Sequence, residues 1–179
     1  MLSDDEKHRH SIRLKGYDYS SPGGYFVTLV TQGRKCIFGE IRNGVMNVNP
    51  FGEIAREEWF RSADIRKEIC LFEEEFVVMP NHIHGIVWIT DVGTTGRSPL
   101  LRGNSPRGPM PKSIGAFIGG YKVSVAKRIN ALRGTTGQAV WQRNYYEHIL
   151  RDEIDYKRVY EYILYNPLRW GDDEENPNG

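Results

Sequence analysis

His82 and His84 stand two residues apart in the run Met79-Pro80-Asn81-His82-Ile83-His84-Gly85-Ile86-Val87-Trp88-Ile89. A strand sends successive side chains to opposite faces, so both imidazoles share one face while Ile83 and Gly85 take the other. Two imidazoles side by side on a buried strand make half of a metal site. A stretch near the C-terminus offers the other half. Tyr162 and Asn166 are four residues apart there, on one helix face and about 6 Å apart along the axis. Asn supplies a hard carbonyl oxygen suited to Mg2+ or Mn2+, and imidazole also tolerates Mn2+. An ion held by His82, His84 and Asn166 keeps open positions that can take and polarise a phosphate oxygen. Tyr162 then lies one turn away, placed as a nucleophile. Its phenol ionises at about pH 10 when free, so it needs a cation or a basic group beside it. Each residue alone has a plainer use: the histidines in a core, Tyr162 as a packed aromatic, Asn166 as a helix cap before Pro167. Burial favours the metal, because two imidazoles facing a covered sheet need partners, and each left unpaired costs about 1–3 kcal/mol.

The elements that must position these residues can be read in order. Tyr25 to Thr31 is β-branched and aromatic, a central strand. Cys36–Ile41 and Val45–Val48 flank Arg42-Asn43-Gly44, where Asn-Gly signals a hairpin. Asn49 caps a helix with Pro50 at its first position, and Ile54, Ala55, Trp59 and Ala63 form its apolar stripe. Phe72 to Val78 leads to a turn at Pro80-Asn81, and the histidine strand returns to Thr90 as an antiparallel partner. That strand is apolar on both faces, so helices must cover both sides of the sheet. Ser113 starts a second helix, with Ile114, Phe117, Ile118, Tyr121, Val125, Ile129 and Leu132 on its buried stripe. Val140–Leu150 reads as one more strand. A last helix opens at Asp152 or Asp155 and runs to Asn166, where Pro167 stops it. The pattern predicts an α+β fold: a ferredoxin-like antiparallel β-sheet with α-helices packed on its faces, in one domain over residues 1–179. Residues 1–12 and the acidic tail from Asp172 are expected to be flexible, and 91–112 to be a mobile loop.

Composition excludes several classes. No apolar run approaches the ~20 residues of a membrane helix, and the charged start lacks a signal peptide. Cys36 and Cys70 form no Cys-x-x-Cys pair, which points away from a zinc ribbon or disulfide framework and toward a reducing cytoplasm. The net charge of +1 hides an asymmetry. From residue 91 to 133, Arg97, Arg102, Arg107, Lys112, Lys122, Lys127, Arg128 and Arg133 face only Asp91, so the segment carries +7 and the remainder −6. A one-sided basic segment is the footprint of a polyanion partner, although a solvated helix face beside a loop has the same composition.

Met79-Pro80-Asn81-His82-Ile83-His84 resembles the His-hydrophobic-His motif of single-tyrosine transposases. Trp141-Gln142-Arg143-Asn144-Tyr145-Tyr146-Glu147-His148-Ile149, followed by Tyr162-Ile163-Leu164-Tyr165-Asn166-Pro167, resembles their branch associated with repetitive extragenic palindromes (REPs). The similarity spans roughly Ser11 to Trp170. It implies the HUH endonuclease fold and cleavage of single-stranded DNA near hairpins of palindromic repeats. It makes His82, His84 and Asn166 the ligands of a divalent cation, Mg2+ or Mn2+, and Tyr162 the nucleophile that forms a 5′-phosphotyrosine and frees a 3′-OH. Tyr165 is the next choice if the helix register slips, and His148 is expected to be structural or a DNA contact. Arg97, Arg102, Arg107, Lys112, Lys122, Lys127 and Arg128 are the expected phosphate contacts, and Tyr17 or Tyr145 could stack on bases. Related transposases work as monomers or homodimers, and both stay open. Two other functions fit the same residues: a hairpin-binding protein that no longer cleaves, and a hydrolase that activates water at the histidine pair.

Overall fold

The computed structural model describes residues 17–90 and 111–177. The frame is the pair of eight-residue strands β1 (Gly23–Val30) and β6 (His82–Ile89). They run antiparallel along their whole length, with Thr28 opposite His84 and Val30 opposite His82. On the far side of β1 lies β7 (Tyr146–Ile149), with Phe26 opposite His148. The outer edge of β6 is shared end to end by β4 (Ile69–Cys70) and β5 (Phe76–Val78). This gives one five-stranded antiparallel sheet. The hairpin β2 (Gly39–Arg42) and β3 (Val45–Val48) stands apart as a second sheet. Its turn uses Asn43 and Gly44, both at positive φ, as a two-residue hairpin requires.

Helices cover both faces, for the reason the apolar pattern of β6 demanded. Helix α1 (Pro50–Ile65) is capped by Asn49, whose side chain accepts from the Phe51 and Gly52 amides. Helix α2 (Ile114–Leu132) is capped by Ser113. Both pack on the face carrying Ile83, Gly85 and Val87, where Trp59, Phe117 and Tyr121 build the main core. Helix α3 (Glu153–Tyr165), capped by Asp152, packs on the opposite face through Val159 and Ile163 against Phe26 and Ile86. The histidines lie on that second face. The ferredoxin-like α+β expectation therefore holds.

Gly85, between the second histidine and Ile86, is a packing requirement. A Cβ there would run into the Trp59 ring, which stacks on Phe76 at 4.9 Å. Gly85→Ala is expected to cost about 1–3 kcal/mol, the usual penalty for overfilling a core. Thermal unfolding of the variant measures it, and an unchanged midpoint would contradict this packing.

One expectation needs correction, and the acidic tail makes contacts that the sequence did not show. Residues 140–150 do not form one strand: only Tyr146–Ile149 joins the ladder, after an isolated Thr31–Trp141 bridge. The carbonyls of Gln142, Arg143 and Asn144 turn instead to the Lys122 ammonium, at 2.9, 3.3 and 3.0 Å. Past Pro167 the chain continues as a 3-10 helix to Asp172 and folds back over the sheet face. There the Glu174 carbonyl accepts from Arg34 Nη1 at 3.0 Å and the Glu175 carbonyl accepts from Asn81 Nδ2 at 2.6 Å. The expected mobile loop lies outside the described residues up to position 110.

Candidate active site

The strand alternation that places His82 and His84 on one face also brings them together. Their Nε2 atoms are 2.9 Å apart, and both rings are buried. Each outer nitrogen has a partner: His82 Nδ1 meets Asn81 Oδ1 at 2.8 Å, and His84 Nδ1 meets Thr28 Oγ1 at 2.9 Å. Phe26 stacks on the His84 ring with centroids 5.4 Å apart, and Trp170 closes over His82 at 5.9 Å.

Helix α3 delivers the phenol. Arg158, Tyr162 and Asn166 are spaced four apart and so share one helix face. The Tyr162 hydroxyl lies 3.3 Å from His84 Nε2, and its ring packs edge-on to Phe26. Tyr165 is 44% exposed and does not line the cavity beside the histidines, and Tyr160 lies against Tyr156. The helix register thus brings Tyr162 to the imidazoles.

Asp173 was invisible to sequence reasoning. It sits in a short acidic run with no periodic pattern, and only the folded-back tail reveals it. Its side chain is 4% exposed, with Oδ2 4.0 Å from His82 Nε2 and accepting from Asn166 Nδ2 at 3.0 Å. His82, His84 and Asp173 offer donor atoms within 4.8 Å of one another.

These residues fit a divalent ion. The two Nε2 atoms are close enough to share one proton along the line between them, or one cation set off that line. Two right-angled ligands about 2.1 Å from one ion would stand about 3 Å apart. The Asn166 Oδ1 atom is buried and makes no well-formed hydrogen bond among the described residues. A hard carbonyl oxygen without a donor, beside a carboxylate and two imidazoles, is a donor set that Mg2+ or Mn2+ accepts.

Burial dominates the electrostatics of the site. Burial pushes both imidazoles below the usual histidine value, and His82 adds repulsion at His84, while Asp173 and Asn166 oppose the shift at His82. Burial, reinforced by the Asp173 carboxylate, pushes the Tyr162 phenol up to about 12, against the hydrogen-bonding influence of Asn166. With ions chelated, the depressed histidines have a consequence for folding. Below about pH 6.5 the unfolded chain takes up protons that the folded pair refuses, so stability present at neutral pH is lost as the pH falls. The slope reaches about 1.4 kcal/mol per pH unit for each imidazole. Urea titrations between pH 7.5 and 5 should show this decline, and a flat profile would contradict it.

The remaining basic residues fall differently from expectation. Arg97, Arg102 and Arg107 lie outside the described residues. Lys112 is exposed in the turn before α2. Lys122, Lys127 and Arg128 ride on α2, across the sheet from the histidines. Lys122 is spent on the three carbonyls named above, and burial pushes its ammonium down to about 8. Arg128 pairs with Glu57 at 2.6 Å and Glu58 at 2.9 Å. Lys122 and Arg128 thus already have partners within the protein, Arg128 while still partly exposed. The cavity beside the site, about 700 Å3, is lined instead by Arg158, Arg169, His148 and Tyr146, besides Tyr162 and the acidic tail. Sequence reasoning missed Arg158, although its spacing from Tyr162 was a usable signal. His148 Nε2 lies 2.8 Å from the Asp155 carboxylate and takes no part in the ligand cluster.

No protein-family model matches the chain. An uncharacterized protein of Haemophilus influenzae is 39% identical over 170 residues, covering 93% of this chain and 92% of its own. Among solved structures, one of a REP-associated tyrosine transposase bound to a REP hairpin superposes with a TM-score of 0.56 at 18% identity, over 90% of this chain and 75% of that one. The chain thus belongs to one family with the Haemophilus influenzae protein, and it is built on the fold of a REP-associated tyrosine transposase.

Proposed function

We propose that this chain nicks and rejoins single-stranded DNA near hairpins of palindromic repeats, using Tyr162 as the nucleophile and a divalent cation held by His82, His84, Asp173 and Asn166. The observation that carries this reading is the Tyr162 hydroxyl 3.3 Å from His84 Nε2, inside the one buried cluster of ligand atoms among the described residues. The hairpin as partner rests on the solved neighbour bound to one.

In this scheme the Tyr162 oxygen attacks a backbone phosphorus. The bond from phosphorus to the 3′ oxygen breaks, and that oxygen leaves as a 3′-OH after taking a proton. The 5′ phosphate stays on the tyrosine, so the bond energy is conserved and the reverse attack by a 3′-OH rejoins the strand. When bound, the cation supplies positive charge to the phosphate oxygen and to the phenol. The phenol has need of that charge, since burial and Asp173 hold its proton on. Phe26 fixes the Tyr162 ring edge-on. Arg158 and Arg169, exposed at the cavity rim, serve as phosphate contacts. Arg97, Arg102, Arg107 and Lys112 add positive charge that can meet further phosphates.

The test is to incubate the protein with labelled single-stranded hairpin DNA and Mn2+. A detergent-resistant protein–DNA adduct should form, together with a free 3′-OH that a polymerase can extend. EDTA should abolish both. Cleavage with no adduct at any time point would favour water as the nucleophile. Binding with neither product would favour a non-cleaving hairpin protein.

A further inference from the structure

Asn81 stands outside the ligand set, yet it touches both halves of it. It is fully buried at the mouth of β6 and its backbone carbonyl accepts from the Thr31 amide at 2.8 Å, which ties it to the end of β1. Its side-chain nitrogen faces two backbone carbonyls, Glu175 O at 2.6 Å and Arg34 O at 3.1 Å. Carbonyl oxygens only accept, so the amide cannot be turned the other way. Its oxygen must therefore face His82 Nδ1, 2.8 Å away, and that oxygen can only accept. His82 Nδ1 must then carry the proton, and His82 Nε2 is left with its lone pair toward the Asp173 side of the site.

The second histidine is not held so strictly. His84 Nδ1 meets a hydroxyl, Thr28 Oγ1, which can donate or accept. Without a cation, His84 Nε2–H can donate to the His82 lone pair, 2.9 Å away, while Thr28 donates to Nδ1. With a cation, Thr28 accepts instead. One imidazole is thus set in advance and the other adapts.

The nitrogen end of the same amide does a second task. The Glu175 carbonyl belongs to the tail that carries Asp173 two residues earlier. Arg34 adds a bond to the Glu174 carbonyl at 3.0 Å and an ion pair with Glu175 at 3.1 Å.

We propose that Asn81 is the positioning residue of the metal site, its amide oxygen holding His82 in the tautomer that ligates and its amide nitrogen holding the tail that presents Asp173. This rests on the metal reading of the site but not on any reaction with DNA. Outer partners of metal-bound histidines act in this way, and losing one typically costs 10–100-fold in affinity (about that range).

The test uses the full chain and Mn2+ alone. In the wild type stripped of metal, imidazole 15N chemical shifts should report His82 as the Nδ1–H tautomer. This measurement needs no variant. Asn81→Asp keeps an acceptor for Nδ1–H but cannot donate to the Glu175 carbonyl. It should retain the His82 tautomer, speed amide exchange in residues 173–176, and weaken Mn2+ binding by about 10-fold or more. Asn81→Ala should also lose the single tautomer. Thr28→Val, which removes the hydroxyl facing His84, should leave the His82 tautomer and the tail unchanged. Three results would each overturn the proposal: His82 found as the Nε2–H tautomer in the wild type, a folded Asn81→Asp protein with wild-type tail exchange and Mn2+ affinity, or no Mn2+ binding by the wild type. A chain whose Mn2+ binding depends on Asn81 but which forms no DNA adduct would keep this proposal and lose only the nuclease reading.

Discussion

Tyr162→Phe removes one oxygen and should abolish the covalent DNA adduct, lowering strand cleavage by about 10^3-fold or more, as loss of a nucleophile does elsewhere. The ring itself should stay in place, because its packing against Phe26 and the His84 ring needs no hydroxyl. Hairpin binding and thermal stability should therefore change little, which separates a chemical loss from a folding loss. The matched control is Tyr165→Phe. That residue lies three positions on, does not line the cavity, and should leave adduct formation within a few-fold of wild type. An adduct that survives Tyr162→Phe but is lost in Tyr165→Phe would mean that the helix register seen here is not the reactive one. Full activity in both variants would mean that neither Tyr162 nor Tyr165 attacks DNA.

Removing an imidazole should have the second large effect. His82→Ala or His84→Ala deletes a donor atom from the cluster and should abolish saturable Mn2+ binding in the micromolar range, together with cleavage. The cleanest readout is thermodynamic. An ion that binds only the folded chain raises stability by RT ln(1 + [L]/Kd), about 2.7 kcal/mol when the ion is at 100 times its Kd. Mn2+ should therefore raise the unfolding midpoint of the wild type and leave either histidine variant unmoved. The metal-free variants should themselves lose stability, since each leaves a cavity and an unpaired buried nitrogen, so the shift caused by the ion is compared within each protein. Asp173→Asn should sit between these extremes. It keeps the shape and the contact with Asn166 but takes a full negative charge from the site. A Mn2+-induced rise that persists in His84→Ala would place the ion elsewhere.

The sheet and the site were unequally legible in the sequence. Strong local chemistry marked the frame: Asn43-Gly44 turned a hairpin, Asn49 with Pro50 and Ser113 began helices, and the doubly apolar β6 demanded cover on both faces. The histidine pair followed from period-two alternation, and Tyr162 with Asn166 from helical spacing. Asp173 left no such mark. An acidic run after a proline has no period, and its place is set by tertiary contacts with Arg34 and Asn81, residues more than 90 positions away. The placement of the basic residues was hidden for a related reason. Charge summed along a chain says nothing of which sheet face a helix covers, and α2 carries Lys122 and Arg128 to the face opposite the histidines, where carbonyls and glutamates engage them. Arg158 was legible by the same four-residue spacing that singled out Tyr162 and Asn166.

All of this turns on which atom becomes joined to the DNA. Digesting the Mn2+-dependent adduct with trypsin and nuclease, then sequencing the modified peptide by tandem mass spectrometry, answers that directly. The arrangement of α3 over the histidine pair predicts a nucleotide phosphate on Tyr162, in the peptide preceding Arg169. A phosphate on any other residue, or DNA cleaved with no linked peptide at all, would contradict it.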